Sequence, residues 1–172
     1  ESFSDYHAKF IEEIFIGEFA NKLILQNDFK FLLEFRNLVY EKKYSVALEK
    51  LSLFVKDFAR ILEFSPQVIS DIGKVFLYGS SEKIKLYFGF ESRNEVAQSL
   101  KNISSNKNDN TKKENFFYID FYAGRIFDKS GSQYFSLAKE SFLSAIENSI
   151  NDITFDNALL CYLNQLKKES IK

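Results

Sequence analysis

Residues 134–148 read YFSLAKESFLSAIEN. Within them Ala138, Phe142 and Ala145 fall four and then three residues apart, so a small, a large and a small apolar side chain share one face of a helix. Such a face lets a neighbouring helix approach closely over the small residues and holds it with the ring between them. A chain organised around this helix needs helical neighbours, and the flanking sequence supplies them on both sides.

Upstream, Gly131 and Ser132 form a turn. Before it, Thr111-Lys112-Lys113-Glu114 is a capping-box pattern that opens a helix over 111–128. That helix carries Phe117, Ile119, Phe121, Tyr122 and Phe127. Downstream, Thr154 caps a final helix over 155–168. Its inward stripe is Ala158, Leu159, Tyr162, Leu163 and Leu166, and Lys167 and Lys168 complement the dipole at its end.

Further out the periodicity stays helical. Ser4 caps a helix over 5–25, whose broad apolar face (Tyr6, Phe10, Ile14, Phe15, Phe19, Leu23) serves more than one neighbour. Asn27 caps a second helix over 28–42. A third over 45–62 carries Ala47, Leu48, Leu51, Phe54, Val55, Phe58 and Leu62, and its short link makes a hairpin with the second. Ser65-Pro66 starts a fourth, which Gly79 ends. Residues 82–90 alternate like a strand, but a lone strand has nothing to pair with, so they are read as helix. Ser92-Arg93-Asn94-Glu95 opens a short helix through Ile103 by a second capping box. Residues 104–115, SSNKNDNTKKEN, contain no apolar residue to repay ordering by burial and are expected to form a mobile loop.

Composition agrees. Six Gly and one Pro among 172 residues leave few helix breakers and few hairpin turns. Twenty Phe with no Trp or Met make the core one of phenyl rings, Leu and Ile. The richness in Lys, Asn, Ile and Phe resembles proteins of AT-rich bacteria such as spirochaetes. A net charge of −1 supplies no excess of Lys and Arg for nucleic acid or anionic membranes. No apolar run reaches the roughly 18–20 residues of a membrane span. The absence of Met is expected of a processed chain or an excised piece, and the bacterial cell envelope is favoured over the cytoplasm. Cys161, the only Cys, excludes an internal disulfide. The expected architecture is a single all-α domain over 1–172.

Two blocks repeat one design: a helix, a tight turn and a second helix with Ala near its start. In the C-terminal block these are Ala123-Gly124, Phe127, Gly131, Phe135, Ala138, Phe142 and Ala145. In the N-terminal block Tyr44, Ala47, Leu48 and Leu51 match the second helix, while Phe35 and Phe54 replace small residues. The pattern resembles the tetratricopeptide repeat, a helix–turn–helix unit of 34 residues. Ala47 and Ala138 are 91 residues apart, not a multiple of 34, and an irregular helical bundle is the alternative architecture. The resemblance implies antiparallel helix pairs in a short solenoid, whose first helices line a groove for a peptide or partner helix. Carried over by position, that groove shows Leu32, Arg36, Val39 and Tyr40 in the first block. In the second it shows Tyr118, Phe121, Arg125, Asp128 and Lys129. Arg36 and Arg125 occupy equivalent repeat positions, and Arg and Tyr suit recognition of an acidic or C-terminal peptide.

Catalytic signatures are missing. His7 is the only His, which leaves a zinc site or a Ser-His-Asp triad without partners. Glu12 and Glu13 point to different sides of a helix. No Gly-rich phosphate loop occurs, and Asn108-Asp109-Asn110 lacks the Gly and distal Glu of a calcium loop. Cys161 reads as a small core residue. The expectation is a non-enzymatic interaction module without metal or cofactor, binding another protein or peptide. A lipid or small apolar molecule held between Phe-rich helices is the alternative, and self-association through the first helix is a further expectation.

Overall fold

The computed structural model describes residues 26–55, 57–106 and 113–171. The helix expected over 5–25, with His7, Glu12 and Glu13, lies outside them, as do residues 107–112 of the polar stretch. Among the described residues the fold is all-α, without strands. The helices are α1 (Gln26–Tyr40), α2 (Tyr44–Phe54), α3 (Pro66–Tyr78), α4 (Ser81–Phe88), α5 (Arg93–Ser105), α6 (Lys113–Ser130), α7 (Phe135–Glu147) and α8 (Asp152–Ser170). Two 3-10 turns, Phe58–Glu63 and Ser132–Tyr134, join α2 to α3 and α6 to α7. Residues 82–88 are helical as expected: Ser80 accepts from Lys83 N at 3.2 Å, and Gly89 at φ 75° ends the helix before Phe90.

Several boundaries depart from the sequence reading, the 104–115 loop among them, since Ser104 and Ser105 close α5 and Lys113–Asn115 open α6, with Ser104 and Asn115 buried. The helix expected over 45–62 stops at Phe54, where Val55 turns extended. Asp57 then accepts from Ala59 N at 3.0 Å and starts the 3-10 turn. The break lets Ile61 enter the core and sets the Phe58 ring against Phe76 and Phe90; a continuous helix obeys the same short-range periodicity, so the pattern alone did not reveal it. The last helix starts earlier than residue 155. Asn151 is the cap, and Thr154 is its partner in a reciprocal capping box. At α5 the expected box is shifted, since Glu95 accepts from Glu91 N at 2.9 Å rather than from Ser92.

The link between α1 and α2 closes as a Schellman motif. Lys43 N donates to Leu38 O at 2.8 Å and Lys42 N to Val39 O at 3.0 Å. Lys42 takes the left-handed position, φ 61°, that glycine usually fills.

α6 is the hub. It packs on α3, α5 and α7, while α7 packs between α6 and α8. Ten of its eighteen residues are buried. Close approach is set by glycine: the Tyr122 ring of α6 sits on Gly73 of α3, and the Phe142 ring of α7 sits on Gly124 of α6. Ala138, Phe142 and Ala145 are all buried, so the face read from residues 134–148 is the face that packs. One apolar cluster runs from Leu32 to Phe142, and Phe117, Ala145 and Ala158 form a smaller one joining α6, α7 and α8. Packing of each helix on the next from α5 to α8 is compatible with a helical repeat. No described helix is long and apolar enough to cross a membrane.

Buried polar groups are tied across helices. Asp120 of α6 accepts from Ser144 Oγ at 2.8 Å and Asn148 Nδ2 at 3.0 Å. Asn115 Nδ2 donates to Phe64 O at 3.2 Å, fixing the start of α6 to the end of the 3-10 turn. Each bond satisfies a group whose burial would otherwise cost about 1–3 kcal/mol.

A cationic cleft between helices three, six and eight

The open strip of α6 runs along one side at helical spacing, through Tyr118, Phe121, Arg125 and Lys129. Tyr118, Phe121 and Arg125 are half-buried and Lys129 is exposed, while the rest of the helix is largely enclosed. The rings brace one another. Tyr118 meets Phe117 edge-on, and Phe121 stacks with Phe117 and meets Phe142 and Tyr122 edge-on.

At its C-terminal end the strip borders a cleft of about 220 Å³, closed by the end of α3 and the inner side of α8. Arg125, Asp128 and Lys129 come from α6; Leu77 and Tyr78 from α3; Cys161, Asn164, Gln165 and Lys168 from α8. Arg125 Nη2 donates to Tyr78 Oη at 3.0 Å, and its guanidinium lies 5.7 Å from the Tyr78 ring centre and 5.8 Å from that of Phe121. Lys129 Nζ donates to Leu77 O at 2.8 Å. With Arg93, which donates to the carbonyls of Phe76, Leu77 and Gly79, it neutralises the C-terminal end of the α3 dipole. Lys168 Nζ pairs with Asp128 and lies 5.3 Å from the Phe135 ring centre. Three cations and one carboxylate therefore share the rim. Partial desolvation, with the nearby Arg93 and Arg125 charges, pushes the Lys129 ammonium down.

Cys161 is half-buried on the cleft wall rather than enclosed in the core. Burial pushes its thiol up, with Arg125 and Lys168 acting in the opposite direction. At neutral pH it is held in the thiol form, the weaker nucleophile. Gln165 has 1% of its surface exposed, and its Oε1 has no hydrogen-bond partner.

The groove positions divide sharply. Tyr118, Phe121, Arg125, Asp128 and Lys129 all lie on α6, and the last three line the cleft. Arg36 does not join them. It is 8% exposed and lies 3.4 Å from Asp71 Oδ2, deep between α1 and α3; a buried carboxylate needs a cation beside it. Leu32 and Val39 are core residues. Tyr40 is exposed at the end of α1 and does not line the cleft.

The inward side of α8 is also corrected. Leu163 and Leu166 face solvent, while Thr154, Ala158 and Gln165 are buried with Cys161 beside them. Those positions, 154, 158, 161 and 165, keep a four-three-four spacing, a signal that weighting by hydrophobicity hides because two members are polar. Among the described residues no cluster of His, Cys, Asp and Glu is arranged to hold a metal ion.

The comparisons add no relative. No protein-family model, curated protein or solved structure matches this chain.

Proposed function

We propose that the chain is a non-enzymatic protein-interaction module, a short solenoid of tetratricopeptide-like helix pairs. Its groove between α6 and α8 receives a segment of a partner protein. The observation that supports this reading is the open strip of α6, where two rings, Arg125 and Lys129 line up at helical spacing beside a cleft while the rest of the helix is largely enclosed. Rings held by their neighbours offer contact area at low entropy cost, and Arg adds directional bonds to carboxylates and carbonyls. The outer side of α8 adds apolar surface, with Ile153 73% and Leu160 61% exposed.

A lipid held between the helices is the competing reading. Side chains fill the helix interfaces where it would lodge, as where Tyr122 lies on Gly73, and charge lines the open cleft. Selection of a phage-displayed library of random heptapeptides tests the module. Enrichment is expected on the wild-type protein and a drop of at least tenfold on Arg125→Ala with Lys129→Ala, with the fold retained and the melting temperature lowered only slightly, since Arg93 still holds the end of α3. No enrichment, or enrichment indifferent to both substitutions, would remove the groove from this role.

A further inference from the structure

Asp156, Leu160, Leu163 and Lys167 follow one another along α8 at intervals of four, three and four residues, so they form one ridge on the helix. The ridge lies opposite the packed side, which holds the buried Thr154, Ala158 and Gln165. Two ion pairs mark the edges of that side, Lys168 with Asp128 of α6 and Glu169 with Lys139 of α7. All four ridge residues are exposed. Phe155 and Leu166, on the Glu169 side of the helix, are exposed too and widen the apolar surface toward Leu143 of α7. The inner side of α8 is thus partly polar and its outer side largely apolar, the reverse of a helix that ends at water.

The order of residues along the ridge says what covers it. From its N-terminal end it reads acid, Leu, Leu, base. Turned about a twofold axis through its middle, the ridge becomes its own complement: Asp156 of one copy meets Lys167 of the other, and Leu160 meets Leu163. A parallel pairing would set Asp156 against Asp156 and Lys167 against Lys167, and like charges repel. Twofold dimers use the same self-complementary patch on both copies. We propose that a second copy of this chain covers the outer side of α8, the two α8 helices packing antiparallel about a twofold axis between Leu160 and Leu163. The leucines supply the buried area, and the charges at the ends of the ridge set direction and register. Lys167 is the exposed cation of the last turn, because Lys168 is already paired with Asp128. The inference rests on neither Arg125 nor Lys129 and stands apart from the groove reading, to which this side of α8 adds only contact area.

The test is sedimentation equilibrium of the intact protein between about 1 µM and 0.5 mM. A reversible shift from 20.1 kDa to twice that mass is expected as concentration rises. Leu163→Glu is expected to raise the dissociation constant at least tenfold by placing a charge against Leu160 of the other copy. Its melting temperature at the lowest concentration should equal that of the wild type, because Leu163 touches solvent in the monomer. Asp156→Lys and Lys167→Asp should each weaken the dimer by about tenfold, since each sets like charges together at both ends of the ridge. Mixing those two variants in equal parts should restore dimers, because every end then joins opposite charges again. The proposal is overturned if the protein stays monomeric throughout the range or grows beyond a dimer. It is equally overturned if Leu163→Glu dimerises normally, which would move self-association to another face, or if the two charge reversals are silent or fail to rescue each other.

Discussion

The Phe142 ring rests on Gly124: a Cβ built on that glycine would stand 2.6 Å from Phe142 Cε1 and 2.7 Å from Cδ1. Glycine inside a helix ordinarily costs about 1 kcal/mol relative to alanine, so at most positions the exchange would stabilise. Here the sign reverses. Gly124→Ala is expected to destabilise by roughly 1–3 kcal/mol through overpacking. Adding Phe142→Leu should recover part of the loss, and urea denaturation of both variants measures it.

Ala138 has no exposed surface and lies on the same face of α7. Ala138→Leu is expected to lower the melting temperature by an overpacking cost of about 1–3 kcal/mol. A variant that melts normally but no longer selects peptides would move Ala138 from the core to the binding site.

Arg36 and Asp71 form a pair whose side chains are 10% and 3% exposed. Arg36→Ala leaves a buried carboxylate and is expected to cost about 3–5 kcal/mol. Replacing both, Arg36→Met with Asp71→Leu, is expected to be near neutral, because two desolvated charges leave together. Chemical denaturation of the single and double variants distinguishes this pairing from a role in binding.

Tyr122 gives a pH signature. Its burial pushes the phenol up to about 12, with the Ser70 hydroxyl pulling modestly the other way. Below about pH 10 both folded and unfolded forms keep the proton, and the group contributes no pH dependence. Between about 10 and 12 the unfolded chain ionises first, so stability falls as pH rises, by roughly 3 kcal/mol at most. Tyr122→Phe should flatten that part of the alkaline melting profile.

Lys42 occupies a left-handed position in the Schellman turn. A side chain there costs roughly 1 kcal/mol that glycine does not pay. Lys42→Gly is expected to raise stability by up to about that amount, read as an upward shift of the melting temperature without change in helicity.

What sequence by itself determined was the helical class and the faces that pack. Spacing of apolar residues, scarcity of Gly and Pro, and local capping chemistry act over three or four residues, and that range placed α3, α4, α6 and α7 nearly where they lie. The small-large-small face of residues 134–148 was legible because its partner, Gly124, belongs to the neighbouring helix of the same hairpin. The open strip of α6 was legible too, since Tyr118, Phe121, Arg125 and Lys129 follow one helical period. Tertiary structure decided the rest. The sequence pattern puts Arg36 and Arg125 at corresponding places, yet one is buried and the other borders a cleft. Asp71 lies 35 residues away from Arg36 in sequence, and no local rule brings them together. Gln165 is polar at a core-facing position, so hydrophobicity points it outward, and only the packing of α8 on α7 turns it inward. The helix was set by neighbours along the chain, while the chemistry of the cleft was set by neighbours across it.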